Sequence, residues 1–151
     1  MTISGREEFP VTAQCVYFDH AGVAPVSRRV ADAVTAFIAD ARDFGRVHYP
    51  AWEGRAEAVR AAAARLLGAS TDELAFVAST SDGLSTIATA LDWRAGDSVV
   101  AVNGEFPANV YPWWALERIG VETRLAEVVN GRMTVDAIAR LIDRTTRIVS
   151  V

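Results

Sequence analysis

Two kinds of hydrophobic spacing divide the chain. Val30, Val34, Phe37, Ile38 and Ala41 recur every three or four residues, and Ala56, Val59, Ala63, Leu66 and Leu67 do so again. That period predicts two amphipathic helices. The first runs from the capping residue Ser27 to about Asp43, and the second from about Ala51 to Leu67, where Gly68 stops it. Phe44 to Trp52 lies between them, has no period and contains Gly45 and Pro50, which predicts an ordered loop.

From Leu74 onward the pattern changes. Short β-branched runs at Leu74–Ala78, Ser98–Val102, Val121–Ala126 and Arg147–Val151 alternate with helical spacing at Ser81–Leu91, about Ala108–Arg118 and Thr134–Ile142. Strands separated by crossover-length helices predict an α/β fold, a three-layer αβα arrangement around a mainly parallel sheet. Asn130-Gly131 has the chemistry of a hairpin turn, but Thr134 and Asp136 before Val135, Ile138 and Leu141 read as a capped helix instead.

These elements describe one α/β domain over 1–151: an N-terminal segment (1–26) with a short extended stretch at Cys15–Phe18, two helices (27–68), and alternating strands and helices (74–151). A buried strand is an unusual place for a domain to finish, so the strand-like end at Arg147–Val151 predicts the front part of a longer protein.

Composition narrows the possible partners. The 151 residues are 51% hydrophobic, and 19 acidic against 15 basic residues give a net charge of −4. The basic residues are scattered, which argues against nucleic acid and anionic membranes as partners. No stretch is long and apolar enough to span a bilayer, and a cytoplasmic protein is expected. One cysteine (Cys15) and two histidines (His20, His48) leave no basis for an internal disulfide or a metal site. All 15 basic residues are arginines. The chain has no lysine.

Ligands of parallel α/β sheets sit beyond the carboxyl ends of the strands. One such place is Ser79-Thr80-Ser81-Asp82-Gly83, where a strand-like run passes directly into a helix. Unpaired backbone amides in the first helical turn, with the Thr80 and Ser81 hydroxyls, could hold a phosphate. The same residues also suit an ordinary helix cap. Asp82 favours the helix dipole but would repel a phosphate unless it turned sideways or onto a backbone partner. A second place is Glu105-Phe106-Pro107-Ala108-Asn109, whose Phe106 could stack on a planar ring or simply join the core. His20 and His48 sit in loops among aromatics, where pocket and surface roles are both open.

Taken in order, Tyr17 to Gly22, the Arg46 to Trp52 loop, Ser79 to Gly83, and Gly96-Asp97 through Glu105–Asn109 to Trp113 resemble the class V aminotransferases. These are pyridoxal-phosphate enzymes of the type I fold, among them cysteine desulfurases, kynureninases and isopenicillin N epimerase-like proteins. The resemblance implies the N-terminal part of the large domain, with pyridoxal 5'-phosphate as cofactor, an amino acid as substrate and the homodimer common in the family. By position, Thr80 and Ser81 look like the phosphate-binding pair, and Phe106 takes the place of the residue stacked on the cofactor ring. Ala21, Gly22 and His48 fall in segments that look like walls of the substrate pocket.

Desulfurases carry a histidine at the Phe106 position. Phenylalanine stacks but moves no proton, which is more like the kynureninase and epimerase-like branches. The family's Schiff-base lysine has no counterpart in these 151 residues, and arginine does not replace it, because its guanidinium stays protonated. The resemblance therefore implies no catalytic residue in this chain and predicts that the chain alone is inactive. The rival expectations are a non-catalytic α/β module that binds a phosphate-bearing ligand or a protein, or a structural remnant without a ligand.

Overall fold

The computed structural model describes residues 5–151. The chain divides into two compact units, 1–74 and 75–151.

In the first unit, a short helix α1 (Gly5–Glu8) and a 3₁₀ turn (Pro10–Ala13) precede two long helices, α2 (Arg28–Phe44) and α3 (Tyr49–Leu67). Ser27 caps α2 as its sequence requires, its hydroxyl accepting from the Val30 amide at 3.3 Å. The expected Phe44–Trp52 loop shrinks to a tight turn. Helix α2 keeps Phe44, and α3 already begins at Tyr49 because Pro50 sits in its first turn, where a missing N–H costs nothing. Cys15–Phe18 forms no ladder among the described residues. The apolar stripe of α2 is not enclosed within this unit: Val34 is 51% exposed and Ile38 60%.

The second unit contains helix α4 (Thr80–Ala90) and the strands β1 (Ser98–Val102), β2 (Glu122–Ala126) and β3 (Thr146–Val149), with short helices α5 (Tyr111–Trp114) and α6 (Val135–Ala139) in the two crossovers. All pairing is parallel, in the order β2-β1-β3. Every residue of β1 is buried, as a central strand covered on both faces must be. On one face Val99 and Ala101 join Ala88 of α4 and Trp113 of α5 in the core. On the other, Arg124, in register with Val100, donates to the Leu141 carbonyl just beyond α6. The expected layered α/β architecture is present around a small sheet.

Three expected elements differ. Leu74–Ala78 lies at no ladder position, because a strand exists only beside another strand and no described strand runs alongside it. The helix expected at Ala108–Arg118 breaks into a 3₁₀ turn (Pro107–Asn109), α5 and a second 3₁₀ turn (Ala115–Ile119). Pro107 and Pro112 each remove an amide that a continuous helix would need. Finally, Asn130-Gly131 does both things its sequence allowed. It closes a two-residue turn with an antiparallel Val129–Arg132 bridge, both central residues having positive φ, and Thr134 then caps α6.

Candidate functional site

The sheet order places a switch point between β1 and β3. The chain leaves the carboxyl end of β1 for β2 on one side and returns past β1 to enter β3 on the other, which sets the carboxyl ends of β1 and β3 side by side, where ligands of such sheets sit. A cavity of about 580 Å³ occupies this place. Glu105, Phe106, Ala108 and Asn109 line it from the loop after β1, Ser150 and Val151 from the end of β3, and Ser79, Thr80, Ser81 and Leu84 from the start of α4. The three residues read from the sequence as cofactor contacts, Thr80, Ser81 and Phe106, therefore share one cavity.

Capping, one of the two readings of the start of α4, falls to Ser79 and, among the described residues, leaves Thr80 and Ser81 unengaged. Ser79 is the cap, its hydroxyl accepting from the Asp82 amide at 3.1 Å. Asp82 turns back, and its carboxylate accepts from the Ala78 amide at 3.2 Å. That carboxylate is absent from the cavity wall. Among the described residues nothing bonds to the amides or hydroxyls of Thr80 and Ser81, which are left at the positive end of an 11-residue helix. This donor set suits a phosphate.

The opposite wall is held by a side-chain network that sequence reasoning missed. The Asn109 amide oxygen accepts from the Ser150 hydroxyl and, at 3.4 Å, from the indole N–H of buried Trp113, while its nitrogen donates to the Glu105 carboxylate at 3.5 Å. Asn109 thus ties the loop after β1 to β3 and to the core. Phe106 stands on this braced loop, 75% exposed and free to cover a planar ring. Glu105 is the one acidic side chain among the described residues of the cavity wall, so the side at Thr80 and Ser81 is the more favourable one for an anion. Asn109 was visible only as part of a motif; its partner Ser150 carried no local signal.

The expected substrate-wall residues lie in the first unit. The Gly22 amide donates to the Asp19 carboxylate at 3.1 Å, and a Cβ at Gly22 would meet that carboxylate at 2.6 Å. Ala21 continues the same turn. Next to it a cavity of about 310 Å³ is lined by Tyr17, His20, Ala24 and Pro25 among others, with Ala21 and Gly22 outside its wall. His48 sits at the start of α3, its Nδ1 2.7 Å from the Asp40 carboxylate. That contact, followed by the hydrogen bond from the Trp52 indole N–H, draws the Asp40 carboxyl below its ordinary range. No group of three or more His, Cys, Asp or Glu among the described residues could hold a metal, and no helix among them is long and apolar enough to cross a membrane.

A parallel sheet with a cavity at the carboxyl ends of its strands and a helix N-terminus on one wall is an α/β architecture of the ligand-binding kind. Within it, residues 16–151 match the family model Aminotransferase class-V, and the chain belongs to that family. It is 31% identical over 151 residues to a probable cysteine desulfurase of Methanothermobacter thermautotrophicus, covering 97% of this chain and 38% of that protein. It is 32% identical over 164 residues to a cysteine desulfurase of Salmonella gallinarum, covering 97% of this chain and 40% of that one. The chain thus spans about two fifths of the length of these curated relatives. In structure it resembles a mutant of C-DES with glycine covalently linked to its PLP cofactor, with a TM-score of 0.81 at 22% identity over 95% of this chain and 39% of the other. A complex of the cystine C–S lyase C-DES with its product cysteine persulfide gives a TM-score of 0.80 at 22% identity, over 93% of this chain and 39% of the other. These likenesses bear out the type I fold.

Proposed function

We propose that this chain supplies the phosphate-holding and ring-covering part of a pyridoxal-phosphate enzyme that acts on an amino acid. The observation carrying this reading is the pair of unengaged amides and hydroxyls at Thr80 and Ser81, in a cavity also lined by Phe106. Thr80 and Ser81 would take the phosphate oxygens, while Phe106 would cover one face of the ring and exclude water from it. When bound, the cofactor supplies an electron sink for negative charge developing at the substrate Cα.

Nothing in this chain can attach the cofactor through a lysine, so the chain alone is inactive and the covalent link belongs to the whole protein. The named relatives are cysteine desulfurases, which favours carbon–sulfur chemistry. Phe106 cannot move a proton, so in such a reaction that duty falls to another group. The homodimer and the substrate walls at Ala21, Gly22 and His48 enter the proposal through family resemblance.

Titration with pyridoxal 5'-phosphate under equilibrium dialysis tests this reading. Ser81→Ala is expected to weaken binding by roughly tenfold or more, the loss of one hydrogen bond to a charged group. Unchanged affinity would remove the Thr80–Ser81 lip from the site. A borohydride-reducible adduct on a side chain would overturn the claim that attachment lies elsewhere. The lack of lysine also favours a second reading, a non-catalytic module for phosphate-bearing ligands. Inorganic phosphate competing as well as the full cofactor would support it.

A further inference from the structure

We propose that Asp40 is a positioning residue for His48: it fixes the imidazole as the Nδ1–H tautomer and leaves Nε2 as the lone-pair acceptor of a ring that lines the pocket beside Trp52. The inference goes beyond the proposed cofactor site and shares no residue with it. Asp40 lies on α2, and its two carboxylate oxygens are used by two different residues. Oδ1 lies 2.7 Å from His48 Nδ1, and Oδ2 accepts from the Trp52 indole N–H at 2.8 Å.

An ionised carboxylate only accepts, so the His48 nitrogen facing it must carry the proton whether the ring is neutral or charged. Trp52 constrains Asp40 in turn, because an indole N–H only donates and its oxygen cannot rotate away without orphaning it. Rings restrict the cluster further: Phe37 meets Trp52 edge-on at 4.9 Å, and Phe44 lies 4.8 Å from His48. The hydrogen bonds with His48 and Trp52, and to a smaller extent the Arg55 charge, hold the Asp40 carboxyl below its ordinary range. Arg55 on α3 acts on it directly, while Asp43 is occupied by Arg42 at 2.7 Å and Arg46 lies over the Tyr49 ring at 4.9 Å. The pocket has a volume of about 310 Å³ and is lined by Phe37, Asp40, His48, Trp52 and Arg55 among others, which suits a small ligand. With Nδ1 committed, the neutral ring can accept a hydrogen bond or a proton from an O–H or N–H of that ligand only at Nε2.

Long-range ¹H–¹⁵N spectra of the full chain, recorded where the imidazole is neutral, test this without cofactor or activity. The expected pattern for His48 is a protonated, pyrrole-type Nδ1 and a pyridine-type Nε2. Asp40→Asn is expected to shift this pattern toward the opposite tautomer or an average of both, and Asp40→Glu to restore it. Trp52→Phe removes only the second donor and should leave the tautomer unchanged. If Asp40→Asn fails to fold, the wild-type and Trp52→Phe spectra still decide. A neutral wild-type ring protonated at Nε2, or an Asp40→Asn spectrum identical to wild type, overturns the proposal. The phosphate titration is unaffected in either case, so the two readings fail separately.

Discussion

The two units spend similar apolar sequences in opposite ways. In the first, helices α2 and α3 carry regular apolar stripes, yet the one buried hydrophobic residue among those described is Ala64 at 4% exposure. In the second, a five-residue strand is sealed on both faces and organises a core around Trp113. Periodicity states which face of an element is apolar; it does not state that the same unit supplies the covering layer. A hydrophobic stripe is a demand for a partner, whereas a strand buried on both sides is a demand already met.

This contrast can be broken by mutation. Trp113→Ala should have the largest effect, about 3–5 kcal/mol by urea denaturation followed through the second unit, because it empties the centre of the core and removes one of the two donors to the Asn109 amide oxygen. A loss under about 1 kcal/mol would mean that the core is centred elsewhere. Gly120→Ala comes next. Its φ is +84° and a Cβ would lie 2.9 Å from the Ala95 Cβ, so a loss of more than about 1 kcal/mol is expected by the same measurement.

Asp143→Asn should be smaller and pH-dependent. Hydrogen bonds from the Thr145 hydroxyl and amide, with the Arg124 guanidinium, hold the Asp143 carboxyl at about 2, against an ordinary 3.8. A depressed carboxyl contributes stability above its unfolded pKa and loses it as pH falls through the folded one. The Tm gap between wild type and Asp143→Asn should therefore be constant near neutrality and close between about 4 and about 2. A gap independent of pH would refute the assignment. The smallest effect should come from Val34→Ala in the first unit, about 0.5 kcal/mol or less, since that side chain is already half in water. A loss as large as that of Trp113→Ala would show the stripe to be covered and erase the contrast between the units.

How much the sequence revealed follows the same division between local and non-local causes. Ser98–Val102 was legible to the residue, because β-branched density between Gly96-Asp97 and Asn103-Gly104 is a local signal. Ser27 and Thr134 were legible as caps for the same reason. Leu74–Ala78 looked like a strand by composition, but pairing depends on residues far away in the chain. At the candidate site, motif alone singled out Thr80, Ser81 and Phe106, which the fold brings to one cavity. The Ser150 hydroxyl on Asn109 and the Asp40 carboxylate between His48 and Trp52 were not legible, because each joins residues that only the folded chain brings together.

The turn-back of Asp82 onto the Ala78 amide has one more consequence. Together with the Ser79 cap it closes the approach to α4 into a hydrogen-bonded ring before any anion arrives. The amides of Thr80 and Ser81 would therefore need no ordering if a phosphate bound as proposed. The conformational entropy of the lip is lost during folding rather than at the encounter, so a phosphate should be captured by a surface that is already rigid, with its affinity undiminished by reorganisation.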